Sequence, residues 1–194
     1  MATKSRRFKP ETYTTDEISA LLRACSRRYP TGLRNRALIA LGYAGGLRVS
    51  EALSLRVRDV NLRTGEVYIQ NGKGNKARTI CINESACQIV GQWIERRREL
   101  KLRGPLLCTL AGKALSSAYV RTLLPRLGQK ASLGKRVHYH GLRHSWAVEN
   151  MRAGTPTNVI QKGLGHSSLK VTSIYLDHVG TDDLREAANA IPEF

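Results

Sequence analysis

Apolar residues recur at helical spacing along most of the chain, and the breaks between them are well marked. Thr14-Thr15-Asp16-Glu17 has the form of a capping box, and Ile18, Leu21, Leu22 and Cys25 follow on one face. This predicts a helix that Tyr29-Pro30-Thr31-Gly32 stops. A second helix, from about Leu33 to Ala44, is apolar nearly all round from Ala37 onward, the pattern of a central helix. Gly45-Gly46 breaks it, and Leu47 to Leu55 reads as a short helix with Arg48 and Glu51 on one face. Between Val57 and Ile82 the period changes to two. Val67-Tyr68-Ile69 and Thr79-Ile80-Cys81-Ile82 predict strands, Arg56 to Val60 predicts a third, and Asn71-Gly72-Lys73-Gly74-Asn75 is the hairpin loop, with Lys73 at its tip.

The helical period then returns. Asn83-Glu84-Ser85 opens a helix to about Leu100, with Ile89, Trp93 and Ile94 inward and Arg96-Arg97-Arg98 outward. Pro105 to Leu110 is an extended connector. Ser116-Ser117 caps a helix with Tyr119, Val120, Leu123, Leu124 and Leu127 as its apolar positions; it displays Arg121, Arg126 and Lys130. A helix over about 141–152 is anchored by Leu142 and Trp146. Thr155-Pro156 opens another to Leu164, with proline at its first position. Ser167 or Ser168 caps a short helix carrying Tyr175, and Thr181 to Ile191 forms a last helix with Leu184, Ala187, Ala188 and Ile191 on one face. The expected fold class is α+β: mainly α, with a small antiparallel three-stranded sheet.

Length bounds the architecture. A chain of 194 residues, 41% hydrophobic, fits one compact domain, here expected over 14–180, with a basic arm over 1–13 and a helical tail over 181–194. Charge narrows the partner. The formal net charge of +17 and pI of about 10.3 point to a polyanion, most simply double-stranded DNA. Lys4, Arg6, Arg7, Lys76, Arg121 and Arg126 are candidate phosphate contacts. The longest apolar run, Ala37 to Leu47, is too short to span a membrane and no apolar segment follows the basic start, so a cytoplasmic protein is expected. Cys25, Cys81, Cys87 and Cys108 form no CxxC and sit among apolar neighbours, which reads as reduced core cysteines. No metal or other cofactor is expected: the histidines lack thiolates and the usual paired spacing for zinc.

The candidate chemistry lies in the last third. His140-Gly141-Leu142-Arg143-His144, Leu164-Gly165-His166-Ser167-Ser168 and Ile174-Tyr175 supply imidazoles, a guanidinium and a phenol. Arginine and histidine neutralise phosphate, and a phenol oxygen can attack it. Taken singly, each signal has an ordinary reading: Arg48 and Glu51 as an ion pair, Lys73 as a solvated turn lysine, Tyr175 as a packed tyrosine.

The order Arg48-x-x-Glu51, Lys73 on a hairpin, His140-x-x-Arg143, Leu-Gly-His166 and Tyr175 nine residues on resembles the tyrosine recombinase (phage integrase) family. The flanking words Gly-Leu-Arg48-Val-Ser-Glu51-Ala-Leu-Ser-Leu and His-Gly-Leu-Arg143-His-Ser agree with it. The resemblance implies the catalytic-domain fold of the DNA breaking-rejoining enzymes and a site-specific recombinase that acts through a 3′-phosphotyrosine. In it Tyr175 is the nucleophile, His140 the base, Arg48 and Arg143 the phosphate clamp, and His166 a further hydrogen-bond donor. Lys73 is the acid for the leaving 5′-oxygen, and Glu51 supports Arg48. It also implies a synaptic complex of several protomers on DNA, expected to be a tetramer, and no cofactor. The family commonly carries an extra N-terminal helical domain; only the basic arm precedes Thr14 here. Two other readings share these residues: DNA relaxation of the type IB topoisomerase kind, and a DNA-binding accessory protein without cleavage activity.

Overall fold

The computed structural model describes residues 11–70 and 77–165. The candidate residues Lys4, Arg6, Arg7, Lys73, Lys76, His166 and Tyr175, the tail over 181–194 and the expected helix carrying Tyr175 lie outside the described residues.

Helix α1, Thr15–Ala24, starts at the expected capping box: the Thr14 hydroxyl accepts from the Glu17 N–H and the Glu17 carboxylate accepts from the Thr14 N–H. Pro30 does not stop a helix but opens one. α2 runs Pro30–Gly45, with the proline in its first turn, where a missing N–H leaves no intrahelical bond unmade. Every residue from Gly32 to Gly42 is buried, so α2 is the central helix, packed against α4 (Glu84–Glu99) and α6 (Tyr139–Arg152). It ends at Gly46, whose φ of +59° and close approach to the Trp146 indole leave no room for a side chain. The chain then turns into α3, Val49–Ser54.

The sheet has two strands rather than three among the described residues: β1 (Glu66–Ile69) pairs antiparallel with β2 (Arg78–Cys81), Val67 opposite Ile80. The expected third strand is a single 3-10 turn over Val57–Asp59, because the Asp59 carboxylate accepts the Arg56 N–H at 2.8 Å and folds the segment back on itself; only Val60 bridges to Val67. Alternation puts Val67, Ile69, Ile80 and Ile82 in the core and turns Cys81 out to solvent. Cys81 is therefore not a core cysteine, whereas Cys25 and Cys108 are buried.

Helix α4 buries Val90, Trp93 and Arg97 on one stripe. The expected outward triplet is thus split. Arg97 points inward and donates to the carbonyls of Gly104 and Pro105, while Trp93 Nε1 donates to Leu106 at 2.8 Å, so both stitch the 104–106 connector to the helix. α5, Ser117–Lys130, is capped by Ser116, and leaves Arg121 and Arg126 exposed. α7, Thr157–Leu164, starts one residue later than expected, with Pro156 at its cap rather than inside it. Ile160 and Leu164 pack on Ala147 and Val148 of α6 in a satellite core beside the main one. Gly163 permits this approach, since a side chain there would meet the Trp146 ring. Among the described residues no helix is long and apolar enough to cross a membrane.

Residues 11–13 do not behave as part of an arm. Tyr13 is buried, its hydroxyl donates to Arg136 O and accepts the His138 N–H, and its own N–H donates to Ser145 Oγ at 2.7 Å. The segment before α1 is thereby pinned to the start of α6.

Candidate active site

One carboxylate gathers the arginines. Arg48 stands at the N-cap of α3, just outside the helix rather than on its face. Glu51 reaches back to the Arg48 N–H with Oε2 (2.8 Å) and takes the Arg48 guanidinium on Oε1 (2.8 Å). From β2, Arg78 meets the same carboxylate with a two-pronged fork, Nη1 to Oε1 and Nη2 to Oε2, both 2.9 Å. Arg143, from α6, lies beneath, its Nη1 3.9 Å from Oε2. Glu51 is buried, its side chain 2% exposed.

The same three arginines hold the end of α7. Arg78 Nε donates to Gly163 O (2.9 Å), Arg143 Nη2 to Leu164 O (2.7 Å) and Arg48 Nη2 to Gly165 O (3.2 Å). Three consecutive carbonyls at the negative end of a helix thus each accept from a different guanidinium. Arg143 also donates to Gly46 O at 2.7 Å, which ties α6 to the turn after α2. The residue after Gly165 in the sequence is His166.

His140 lies in the first turn of α6, which His138 caps by accepting the Gly141 N–H on Nδ1. Its ring meets the His144 ring edge-on, with centroids 4.1 Å apart. His140 is exposed, so its imidazole can be reached from solvent. Loss of water on its packed side, then the charges of Arg143, His138 and Arg48, hold its pKa below the usual histidine value. At neutral pH the ring is uncharged and able to accept a proton.

Burial alone would raise the Glu51 pKa. The hydrogen bonds from Arg78 and the Arg48 backbone, with the charges of those arginines, outweigh it and hold the group at about 2. The cluster of three guanidiniums and one carboxylate keeps a positive excess suited to an oxyanion. Access is unequal: a quarter of the Arg48 side chain is exposed, against 10% for Arg78 and 1% for Arg143. Arg48 is the most accessible guanidinium of the three.

Of the residues expected to act, the fold brings together Arg48, Glu51, His140 and Arg143 from two distant segments, and Arg78 joins them from a third. Arg121 and Arg126 lie apart on α5, with no hydrogen bond or ion pair to the cluster among the described residues. The sequence reading passed over Arg78. Its signal was positional: residues 78, 80 and 82 share a strand face, and an arginine in register with two core isoleucines requires a buried counter-charge.

Loss of the carboxylate leaves buried guanidiniums uncompensated. Glu51→Gln is expected to lower the unfolding free energy by about 3–5 kcal/mol in urea denaturation at neutral pH. The folded pKa is depressed from 4.5, so the stabilisation is complete above that value and is lost as pH falls towards 2. The acid-induced loss over that window should shrink in the variant; an unchanged acid profile would contradict the assignment.

Comparison with known proteins identifies the family. The Phage integrase family matches residues 11–180. Tyrosine recombinase XerC of Halalkalibacterium halodurans is 38% identical over 179 residues, which cover 88% of this chain and 58% of that protein. The crystal structure of XerA recombinase superposes with a TM-score of 0.83 at 28% identity, covering 96% of this chain and 67% of the other. A post-cleavage complex of the XerH site-specific recombinase with palindromic difH substrate gives 0.79 at 27% identity, covering 97% and 55%. The chain spans about three fifths of the length of the curated XerC relatives it matches. Matched over residues 11–180, the chain belongs to the phage integrase family, the tyrosine recombinases.

Proposed function

We propose that this chain performs the strand cutting and rejoining of a site-specific DNA recombinase. The observation that carries the reading is the Glu51-centred cluster, in which residues far apart in sequence make one cationic pocket beside an uncharged imidazole. The XerC and XerH names of its relatives support the same reaction. Tyr175 attacks the scissile phosphorus. The phenol oxygen–phosphorus bond forms as the bond to the 5′-oxygen breaks, which leaves a 3′-phosphotyrosyl link and a free 5′-hydroxyl. A free phenol has a pKa of about 10, so attack at neutral pH needs a base and a positive field. His140 takes the phenolic proton. Arg48 and Arg143 stabilise the added negative charge of the pentacoordinate state, Arg48 from the open side and Arg143 from beneath. His166 donates to the phosphate, and Lys73 gives its proton to the leaving oxygen. Attack by a 5′-hydroxyl on the phosphotyrosine reverses the step, so rejoining needs neither nucleotide nor metal.

The wider partners follow from the same reading. Double-stranded DNA lies against the cluster, with Lys4, Arg6, Arg7, Lys76, Arg121 and Arg126 as backbone contacts. Two sites are brought together by several protomers, a tetramer when complete, in the cytoplasm.

A DNA duplex nicked beside the scissile phosphate traps the covalent state. The unmodified chain should form a denaturant-resistant adduct, and Tyr175→Phe should bind the duplex without forming one. An adduct of undiminished yield with Tyr175→Phe would overturn the nucleophile assignment. The adduct rate should rise with pH through a limb centred below the ordinary histidine value of about 6.5, as His140 loses its proton. His140→Gln should be slow and lack that limb, and a limb left in place would remove His140 as the base.

A further inference from the structure

We infer that Arg78 is a positioning residue for the cleavage reaction: it locks the Glu51 carboxylate and the last turn of α7 together, so that Arg48 is presented to the phosphate in one orientation. The inference rests on the proposed cleavage function for its catalytic consequence, but its physical core, the hold on Arg48, is a property of the protein alone.

The geometry separates Arg78 from a direct phosphate ligand. Each of its three guanidinium nitrogens has a protein partner: Nε on Gly163 O, Nη1 on Glu51 Oε1 and Nη2 on Glu51 Oε2, all at 2.9 Å. Its side chain is 10% exposed. With every guanidinium nitrogen engaged, Arg78 acts through the groups it holds.

Those groups are the ones that fix Arg48. Glu51 Oε1 is shared between Arg78 Nη1 and Arg48 Nη1, and Oε2 between Arg78 Nη2 and the Arg48 N–H. The other anchor of Arg48 is Gly165 O, two residues beyond the carbonyl that Arg78 holds. Both ends of the Arg48 guanidinium are therefore referred to Arg78, one through a carboxylate and one through the α7 turn. The turn is built for this contact. Gly165 has a φ of +62°, and a side chain there would strike the Arg78 guanidinium at about 3 Å. Lysine cannot replace the fork, because a single ammonium cannot align with two carboxylate oxygens and a carbonyl in one plane.

A role confined to fold stability makes different predictions. Arg78→Gln and Arg78→Lys are compared with the unmodified chain by thermal melting, by affinity for the nicked duplex, and by single-turnover adduct formation at temperatures where each is folded. Both variants should form adduct about 100-fold more slowly, the loss expected from a displacement of about 1 Å at a reacting centre. The DNA affinity of Arg78→Lys, which keeps the charge, should fall far less than its adduct rate, since all three Arg78 nitrogens are taken up by protein partners. Combined with Glu51→Gln, Arg78→Gln should add little further loss, because both act on one chain of contacts. A wild-type rate in folded Arg78→Lys, or full additivity with Glu51→Gln, would overturn the inference. Phenylglyoxal labelling of Arg48, read by peptide mass spectrometry on the DNA-free protein, should be several-fold faster in both variants, as release from its partners exposes the guanidinium. Unchanged labelling would overturn the inference whether or not the chain cleaves DNA. Absence of adduct in the unmodified chain would sink the proposed function instead.

Discussion

The site depends on one ionised carboxylate kept out of water. Burying a lone carboxylate costs several kcal/mol. Glu51 escapes that penalty by accepting four hydrogen bonds, from the Arg48 N–H, Arg48 Nη1 and both Arg78 Nη groups. In return it holds together guanidiniums that would otherwise repel one another. The short helix α3 places this group: its third residue bonds back to the N–H of the capping Arg48 and is also the counter-ion of the cluster.

The second constraint is the end of α7. Its last carbonyls have no partners within the helix, and they lie where the cationic excess is greatest. Arg78, Arg143 and Arg48 satisfy three in succession, so β2, α6 and the α2–α3 turn converge on one backbone segment. α6 is fixed independently at its start. Tyr13 bonds to the backbone at Arg136 and His138, and Gly141 lets its ring lie close against the helix. His140 and Arg143 therefore project from first turns that are held on two sides, which is what pre-organised charge stabilisation requires.

Much of this was legible in the sequence because local chemistry decided it. Thr14, Asn83 and Ser116 announce helix starts, and each caps as its pattern requires. The apolar run from Ala37 identified the central helix, and the motif words pointed to Arg48, Glu51, His140 and Arg143. What was misread depended on partners distant in sequence. Pro30 could close one helix or open the next, and packing of α2 chose the second. Arg97 looked like one of three solvated arginines until the carbonyls of 104–105 were seen beside it. Tyr13 looked like arm because its partners are some 125 residues away. Arg78 looked like one more basic residue after a hairpin, since nothing local shows that its strand face meets Glu51.

The central claim is that Glu51 remains charged within the cluster under all ordinary conditions. Carbon-13 NMR titration of its side-chain carboxyl, assigned by loss of the signal in Glu51→Gln, measures this directly. The signal should stay in its ionised position well below pH 4, with a midpoint near 2. A midpoint at or above 4.5 would mean that the carboxylate does not hold the arginines, and the account of the site would fail.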